Sequence, residues 1–149
     1  MRIIETSPND FEVHPLIEAL SNNLESRFGS SGKNSFQNWE FDNSQYVFVK
    51  CIIENEVVGC GALRPLSNEI AEIKRMYSKY SRKGIGNQIL LYLENKAMNL
   101  GFSKIYLETR KLNAEACSFY LKNNYVVIPN YGKYVNNNLA ICFGKNLIN

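Results

Sequence analysis

Histidine is almost missing from this sequence: His14 is the only one. The four cysteines, Cys51, Cys60, Cys117 and Cys142, stand apart, with no Cys-x-x-Cys pair. A zinc site needs clustered imidazole or thiolate ligands, so neither residue type supports a metal. Their isolation in apolar surroundings reads the cysteines as reduced, mostly buried thiols. No apolar run approaches the ~20 residues of a membrane span. The N-terminal Met-Arg-Ile-Ile-Glu-Thr lacks the long apolar region of a signal peptide, so the expected location is cytoplasmic. Charge of one sign is not concentrated either. The net charge of +3 comes from basic residues spread along the chain, which is weak support for an anionic ligand and poor support for nucleic acid. There is no internal repeat and no linker. Neither the dinucleotide-binding glycine pattern nor the Gly-Lys-Ser/Thr phosphate loop is present, which disfavours a Rossmann domain or a P-loop enzyme.

What remains is an ordinary globular composition, 45% apolar and 21% charged over 149 residues. That is enough for one domain, residues 1–149, with a real core. Arg2–Thr6 reads as a strand, and Asn9 or Asp10 is placed to cap a helix from Phe11 to Leu24 with Val13, Leu16, Ile17, Leu20 and Leu24 at helical spacing. The stretch 25–43 is irregular, carries Gly29, Gly32, Phe36, Trp39 and Phe41, and reads either as a short helix and lid or as a surface connection. Tyr46–Ile53 and Val57–Leu63 form a hairpin across Glu54-Asn55-Glu56, and Glu69–Tyr77 is the next strand. A helix over Gly84–Leu100 stops at Gly101, and a strand follows at Lys104–Thr109. A helix capped by Asn113 covers Ala114–Lys122 and ends at Asn124, a residue tolerant of the left-handed conformation. Strands at Tyr125–Ile128 and Leu139–Phe143 flank a tyrosine-bearing loop. The order predicts an α/β (α+β) fold: a mixed, mostly antiparallel sheet of about seven strands flanked by about four helices.

One stretch organises this pattern, residues 69–100: a strand, a turn punctuated by Gly84 and Gly86, and an amphipathic helix. A helix N-terminus presents backbone N–H groups without intrahelical acceptors and a partial positive charge, so this turn suits a phosphate. A lone Gly-x-Gly is weak by itself.

The residues around it strengthen the reading. Ala71-Glu-Ile-Lys-Arg-Met-Tyr-Ser-Lys-Tyr-Ser-Arg-Lys-Gly-Ile-Gly86 resembles the acyl-coenzyme A-binding segment of the GNAT superfamily of N-acetyltransferases. Asn113-Ala-Glu-Ala-Cys-Ser-Phe-Tyr120 resembles the next helix of that family, and the element order is similar along essentially the whole chain. The likeness is strongest to small single-domain bacterial members with Gly-Cys-Gly-Ala-Leu-Arg before the cofactor strand and Ile-Pro-Asn-Tyr-Gly near the end. Two positions depart from the pattern. Ser81 replaces the usual Arg or Gln, with Arg82 one place later, and Asn124 replaces a glycine.

The resemblance implies acetyl-CoA as the cofactor. It implies a splayed strand at Glu69–Tyr77 whose backbone pairs with the pantetheine arm, with the amide near Met76 holding the thioester carbonyl. The implied cofactor-binding set is Arg75, Met76, Tyr77, Ser81, Arg82, Lys83, Gly84, Ile85, Gly86, Asn87, Asn113 and Phe119. An alkyl ammonium of pKa near ~10.4 costs roughly 4–5 kcal/mol to neutralise at pH 7, so the reaction needs a base. Glu72, about 13 Å along an extended strand from Met76, is the candidate general base, acting through water, with Glu69 as fallback; an ion pair with Lys74 is the alternative reading. Tyr120 matches the family's general acid for the leaving thiolate, or else is a buried helix tyrosine. Asn113 either caps its helix alone or also touches the cofactor. Arg64, Arg75, Tyr131 and Tyr134 could line the acceptor side; Arg64 either binds an acidic substrate group or is a solvated or structural residue at the hairpin end, and Lys133 beside them reads either way.

The expected activity is direct transfer of acetyl to an amine of a small molecule or peptide, by a monomer or homodimer, with no nucleic-acid or membrane partner. A non-catalytic acyl-CoA sensor is the alternative. A route through Cys117 or Cys142 as acyl carrier is disfavoured, because His14 is the only imidazole available to activate it.

Overall fold

A computed structural model describes residues 1–28 and 45–147, the side chains of 23–28 excepted. The elements run β1 (Arg2–Thr6), α1 (His14–Phe28), β2 (Val47–Ile53), β3 (Glu56–Pro65), β4 (Ile70–Ser78), α2 (Ile85–Asn99), β5 (Lys104–Arg110), α3 (Ala114–Lys122), β6 (Val126–Ile128), a 3₁₀ turn at Gly132–Tyr134 and β7 (Ala140–Asn146). The seven strands form one sheet in the order β1-β2-β3-β4-β5-β7-β6. Every neighbouring pair is antiparallel except β4 and β5. The expected mixed, mostly antiparallel sheet is therefore present, with three α-helices among the described residues. The short helix or lid expected within 25–43 lies outside the described residues from position 29 onward; residues 25–28 belong to α1.

Helix termini follow local chemistry. Asp10 accepts the Glu12 amide at 3.0 Å and so fixes the turn that leads into α1. Gly101 takes φ 96°, and the Phe102 amide donates back to Ala97 at 3.0 Å, closing α2 with a Schellman-type end. Asn113 caps α3 by accepting the Ala116 amide at 3.1 Å, and Asn124 is left-handed at φ 70°.

The core lies mainly on one face of the sheet. Val47, Val49, Leu63, Ile73, Ile105, Leu107 and Phe143 pack there against Ile85, Ile89, Leu90 and Leu93 of α2 and Tyr120 of α3. A smaller cluster on the opposite face joins Val13 and Leu16 of α1 to Phe48, Cys60 and Ala62. Close approach of α2 to β3 depends on two glycines. A Cβ at Gly59 would lie 2.7 Å from Ile85 Cγ2 and 2.9 Å from the Tyr77 carbonyl; one at Gly61 would lie 2.7 Å from Ile89 Cγ2. This contact seats α2 beside β4, with its N-terminus near the end of that strand.

Because the Tyr77 carbonyl cannot move without disturbing β4, Gly59→Ala is expected to destabilise the protein by about 1–3 kcal/mol. The check is a lowered urea midpoint at unchanged m-value.

Candidate active site

Strands β4 and β5 pair over only three positions, Ile70↔Lys104, Ala71↔Ile105 and Glu72↔Tyr106. Beyond Glu72 both strands continue without pairing to each other. The cause lies on the other edge of β4, where the register against β3 shifts between Ala62↔Lys74 and Cys60↔Tyr77. Arg75 takes φ 57° at this bulge, a conformation that costs a non-glycine residue roughly 1 kcal/mol. The extra residue turns β4 away from β5 and puts Arg75 on the α1 side, which Lys74 opposite Ala62 already faces by ordinary alternation, while Ile73 and Met76 pack on the α2 side.

A cleft of about 170 Å³ fills the gap. Leu20 of α1, Lys74, Arg75 and Met76 of β4, Glu108, Thr109 and Arg110 of β5, Asn113, Ala116 and Tyr120 around α3, and Tyr134 contribute to its wall. At the end of β4 the chain turns through Ser78–Gly84 into α2. Arg82 (φ 62°) and Gly84 (φ 74°) are both left-handed, and the first amide in this helix to find an acceptor is Gln88, donating to the Gly84 carbonyl at 3.0 Å. The Ile85, Gly86 and Asn87 amides precede it and have no acceptor within the helix. A Cβ at Gly86 would approach the Phe119 ring to 3.3 Å, so the second glycine keeps α3 close beside this end. Asn123 reinforces the contact by donating to Asn87 Oδ1 at 3.2 Å.

Orphan amides, the exposed cations Arg82 and Lys83, and an open strand edge form a cradle for an elongated ligand with a phosphate at one end. These residues fit acyl-coenzyme A. Ser81, the departure from the family pattern, is exposed in the same turn.

The remaining expected residues separate into two groups. Arg75, Met76, Asn113 and Tyr120 meet in the cleft. Tyr120 is 7% exposed, its ring packs edge-on to Phe119 and Tyr125, and burial raises its phenol above the ordinary range. Tyr77 is outside the cleft lining, and its side chain packs with the α1 cluster. Glu72 is outside the lining as well. Its side chain is 1% exposed and committed on both oxygens: Arg64 Nε donates to Oε1 at 2.7 Å, and the Tyr131 hydroxyl donates to Oε2. The ion pair expected with Lys74 exists at 3.8 Å but is secondary to the one with Arg64. Glu69 is exposed at the start of β4. Arg64 thus meets an internal carboxylate, and Lys133 lies over the Tyr134 ring at 5.5 Å.

Three charged cleft residues escaped the sequence reading: Glu108, Arg110, and Lys74 as more than an ion-pair partner. On β5, Ile105 and Leu107 point to the core while Tyr106, Glu108 and Arg110 take the other face. That alternation was available as a signal, although the use of the polar face was not. Arg110 Nη1 donates to Glu108 Oε2 at 3.0 Å. Burial nevertheless raises the Glu108 carboxyl above its usual range, against the opposing pull of Arg110 and Lys74. Cys51, Cys60 and Cys142 are buried, Cys117 is partly so, and burial pushes all four thiols up, Cys60 to about 12. Such thiols are poor nucleophiles. Among the described residues no group of three or more His, Cys, Asp or Glu is placed to hold a metal, and no helix is long and apolar enough to cross a membrane.

Comparison with known proteins agrees with this geometry. A model of the Acetyltransferase (GNAT) family matches residues 13–125. The fold is similar to that of a GNAT-family acetyltransferase from Staphylococcus aureus (22% identity, TM-score 0.81, covering 99% of each chain). It is also similar to the PaiA N-acetyltransferase from Thermoplasma acidophilum, solved with coenzyme A (21%, TM-score 0.73, 98% of this chain and 99% of that one). A third likeness is to the aminoglycoside 6'-N-acetyltransferase from Enterococcus faecium (22%, TM-score 0.70, 100% and 98%). No curated protein matches the chain significantly. The family uses acetyl-CoA, which the cradle at α2 fits. With its family model spanning most of its length, and its sheet splayed beside an open helix end, the chain belongs to the GNAT acetyltransferase family.

Proposed function

We propose that the protein is an N-acetyltransferase that moves an acetyl group directly to an amine, with Tyr120 as general acid and a buried carboxylate as general base. The observation that carries this reading is the cleft itself: the unpaired edge of β4 opens into a space that residues from both sides of the sheet reach. Bound along that edge, acetyl-CoA would supply a thioester whose C–S bond breaks as the acceptor nitrogen forms the new C–N bond.

The chain's own residues then have distinct tasks. The Ile85, Gly86 and Asn87 amides, with Arg82 and Lys83, hold phosphate charge. The backbone beside Met76 supplies hydrogen bonds that orient the reacting carbonyl. Tyr120 keeps its proton at neutral pH because burial opposes the phenolate, so it enters the reaction as a donor and passes that proton to the departing sulfur. Asn113 caps α3, which carries Tyr120, and lines the same cleft.

The proton leaving the amine needs an acceptor. Glu72 is our first assignment. Since both of its oxygens are engaged, it would be reached by relay along the Tyr131 hydroxyl rather than by direct contact. Glu108 is the second, favoured because its side chain lines the cleft. The sensor alternative has the same cradle and makes no use of Tyr120.

Tyr120→Phe should lower kcat about 100-fold or more while coenzyme A affinity, measured by calorimetry, stays unchanged. A wild-type rate in this variant, with an acceptor in hand, would remove the acid role. Failure of any amine to release free coenzyme A thiol, despite binding, would favour the sensor.

The base can be identified from pH profiles of Glu72→Gln and Glu108→Gln. A base must be ionised to act, so activity falls as pH drops through its pKa. For Glu108 burial places that fall above the ordinary carboxylate range. The variant lacking the true base should lose the acidic limb together with most of kcat, whereas the other should keep the limb. Thermal unfolding of both variants separates a lost base from a lost fold, since Glu72→Gln leaves Arg64 without its carboxylate.

A further inference from the structure

We infer that the acceptor is an anionic amine, one bearing a carboxylate near its amino group, and that Lys74 binds that carboxylate. The inference rests on the acetyl-transfer reading above and names the substrate class for the same site.

Its first support is the balance of charge. Among the described residues, Lys74, Arg75 and Arg110 line the cleft as cations, and Glu108 is the only carboxylate beside them. Glu108 is already paired with Arg110 at 3.0 Å. Arg75 turns toward α1, where its Nη2 donates to Ser21 Oγ at 3.4 Å. Lys74, by contrast, has no carboxylate within hydrogen-bond distance, only a looser ion pair. Its nearest, Glu72 Oε1 at 3.8 Å, is beyond hydrogen-bond reach and is held by Arg64.

Donor capacity is the second support. An ammonium group has three N–H donors. The Lys74 side chain is 8% exposed, and one donor goes to the Tyr134 hydroxyl at 3.1 Å. The side chain is thus largely withdrawn from solvent, an expensive place for an ammonium with donors to spare unless a ligand completes it. Burial accordingly lowers the Lys74 pKa, with Lys133 and Arg64 pushing the same way against Glu72 and Glu108. A carboxylate would accept two charge-assisted hydrogen bonds there and restore the balance. The phosphate of a coenzyme does not meet this need, because the α2 turn that suits it lies beyond the other end of the bulge.

Position is the third. Lys74 stands opposite Ala62 just before the bulge that frees the edge of β4 and faces the α1 side, two residues before Met76. An anion held by Lys74 would leave its own amino group close to the unpaired edge. A polycation would instead meet the Lys74 ammonium, with the one lining carboxylate, Glu108, already paired with Arg110. Aminoglycosides, for which several structural relatives are named, are polycations without the carboxylate that Lys74 would hold.

The test compares α-, β- and γ-amino acids with their matching amides, alongside spermidine and kanamycin, as ligands for the protein loaded with coenzyme A. Calorimetry reads binding independently of turnover, and coenzyme A release reads transfer separately. At least one amino acid should bind about ten-fold or more tighter than its amide, and Lys74→Met should erase most of that difference. Equal binding of acids and amides, tighter binding of the polycations, binding by none of the amino acids, or an acid preference that survives Lys74→Met would each overturn the inference. The acid–amide comparison in the unaltered protein stands even if the variant fails to fold. Acid-selective binding without thiol release would instead sink the transfer reading and leave the anion site in place.

Discussion

The structure depends on one local event, the end of β4–β5 pairing after Glu72. Parallel strands that continued in register would saturate their backbone groups and leave no room between them. Here the extra residue at Arg75 shifts β4 against β3 and bends it from β5. The left-handed Arg75 backbone costs energy, and it persists because neighbours hold it from both sides. Cys60 Sγ donates to the Arg75 carbonyl at 3.4 Å, and the Arg75 side chain reaches Ser21 of α1. The same distortion supplies an unpaired strand edge and a cleft, with Lys74 at its start.

Helix α2 makes that cleft usable. Its packing on Gly59 and Gly61 brings it onto β3, so its N-terminus falls beside the end of β4. Gly84 and Gly86 then do different work in one short turn. The first allows a left-handed residue that starts the helix; the second allows the Phe119 ring to approach. A lone Gly-x-Gly is weak as a motif because these two demands are local and common. It gains meaning from the strand that precedes it and the helix that packs on it.

Much of the fold was legible because it rests on short-range chemistry. Periodicity placed the helices and strands, and Gly101, Asn113 and Asn124 ended or began helices where their conformational preferences put them. The limits were less clear. With no glycine before Gly29, α1 runs on to Phe28, and β7 continues through Gly144 to Asn146 because a strand glycine there admits the Tyr106 ring. Of the candidate site, the glycine turn was legible, and Tyr120, singled out from its helix, lies in the cleft wall. The site's charges were not legible. Glu72 meets Arg64 across a hairpin and Tyr131 from a distant loop, partnerships that no local spacing encodes. The bulge at Arg75 was invisible for the same reason, since arginine has no preference for a left-handed backbone.

The sheet also keeps opposing chemistry apart. Tyr120 reaches the cleft from the side of α2 and α3, whereas Lys74 and Glu108 lie toward the side of α1. An acid and a base in direct contact would exchange a proton or form a hydrogen bond that blunts both. In the proposed reaction the opened strands are the passage between them, so each group meets only the end of the reaction it serves. In the same proposal Arg64 holds Glu72 at 2.7 Å while Lys74 stands 3.8 Å from it, so the Lys74 ammonium is the one assigned to the acceptor. On the proposed reading, specificity resides in the face of the sheet opposite the cofactor turn, and substitutions there would change the acceptor without disturbing the cradle at α2.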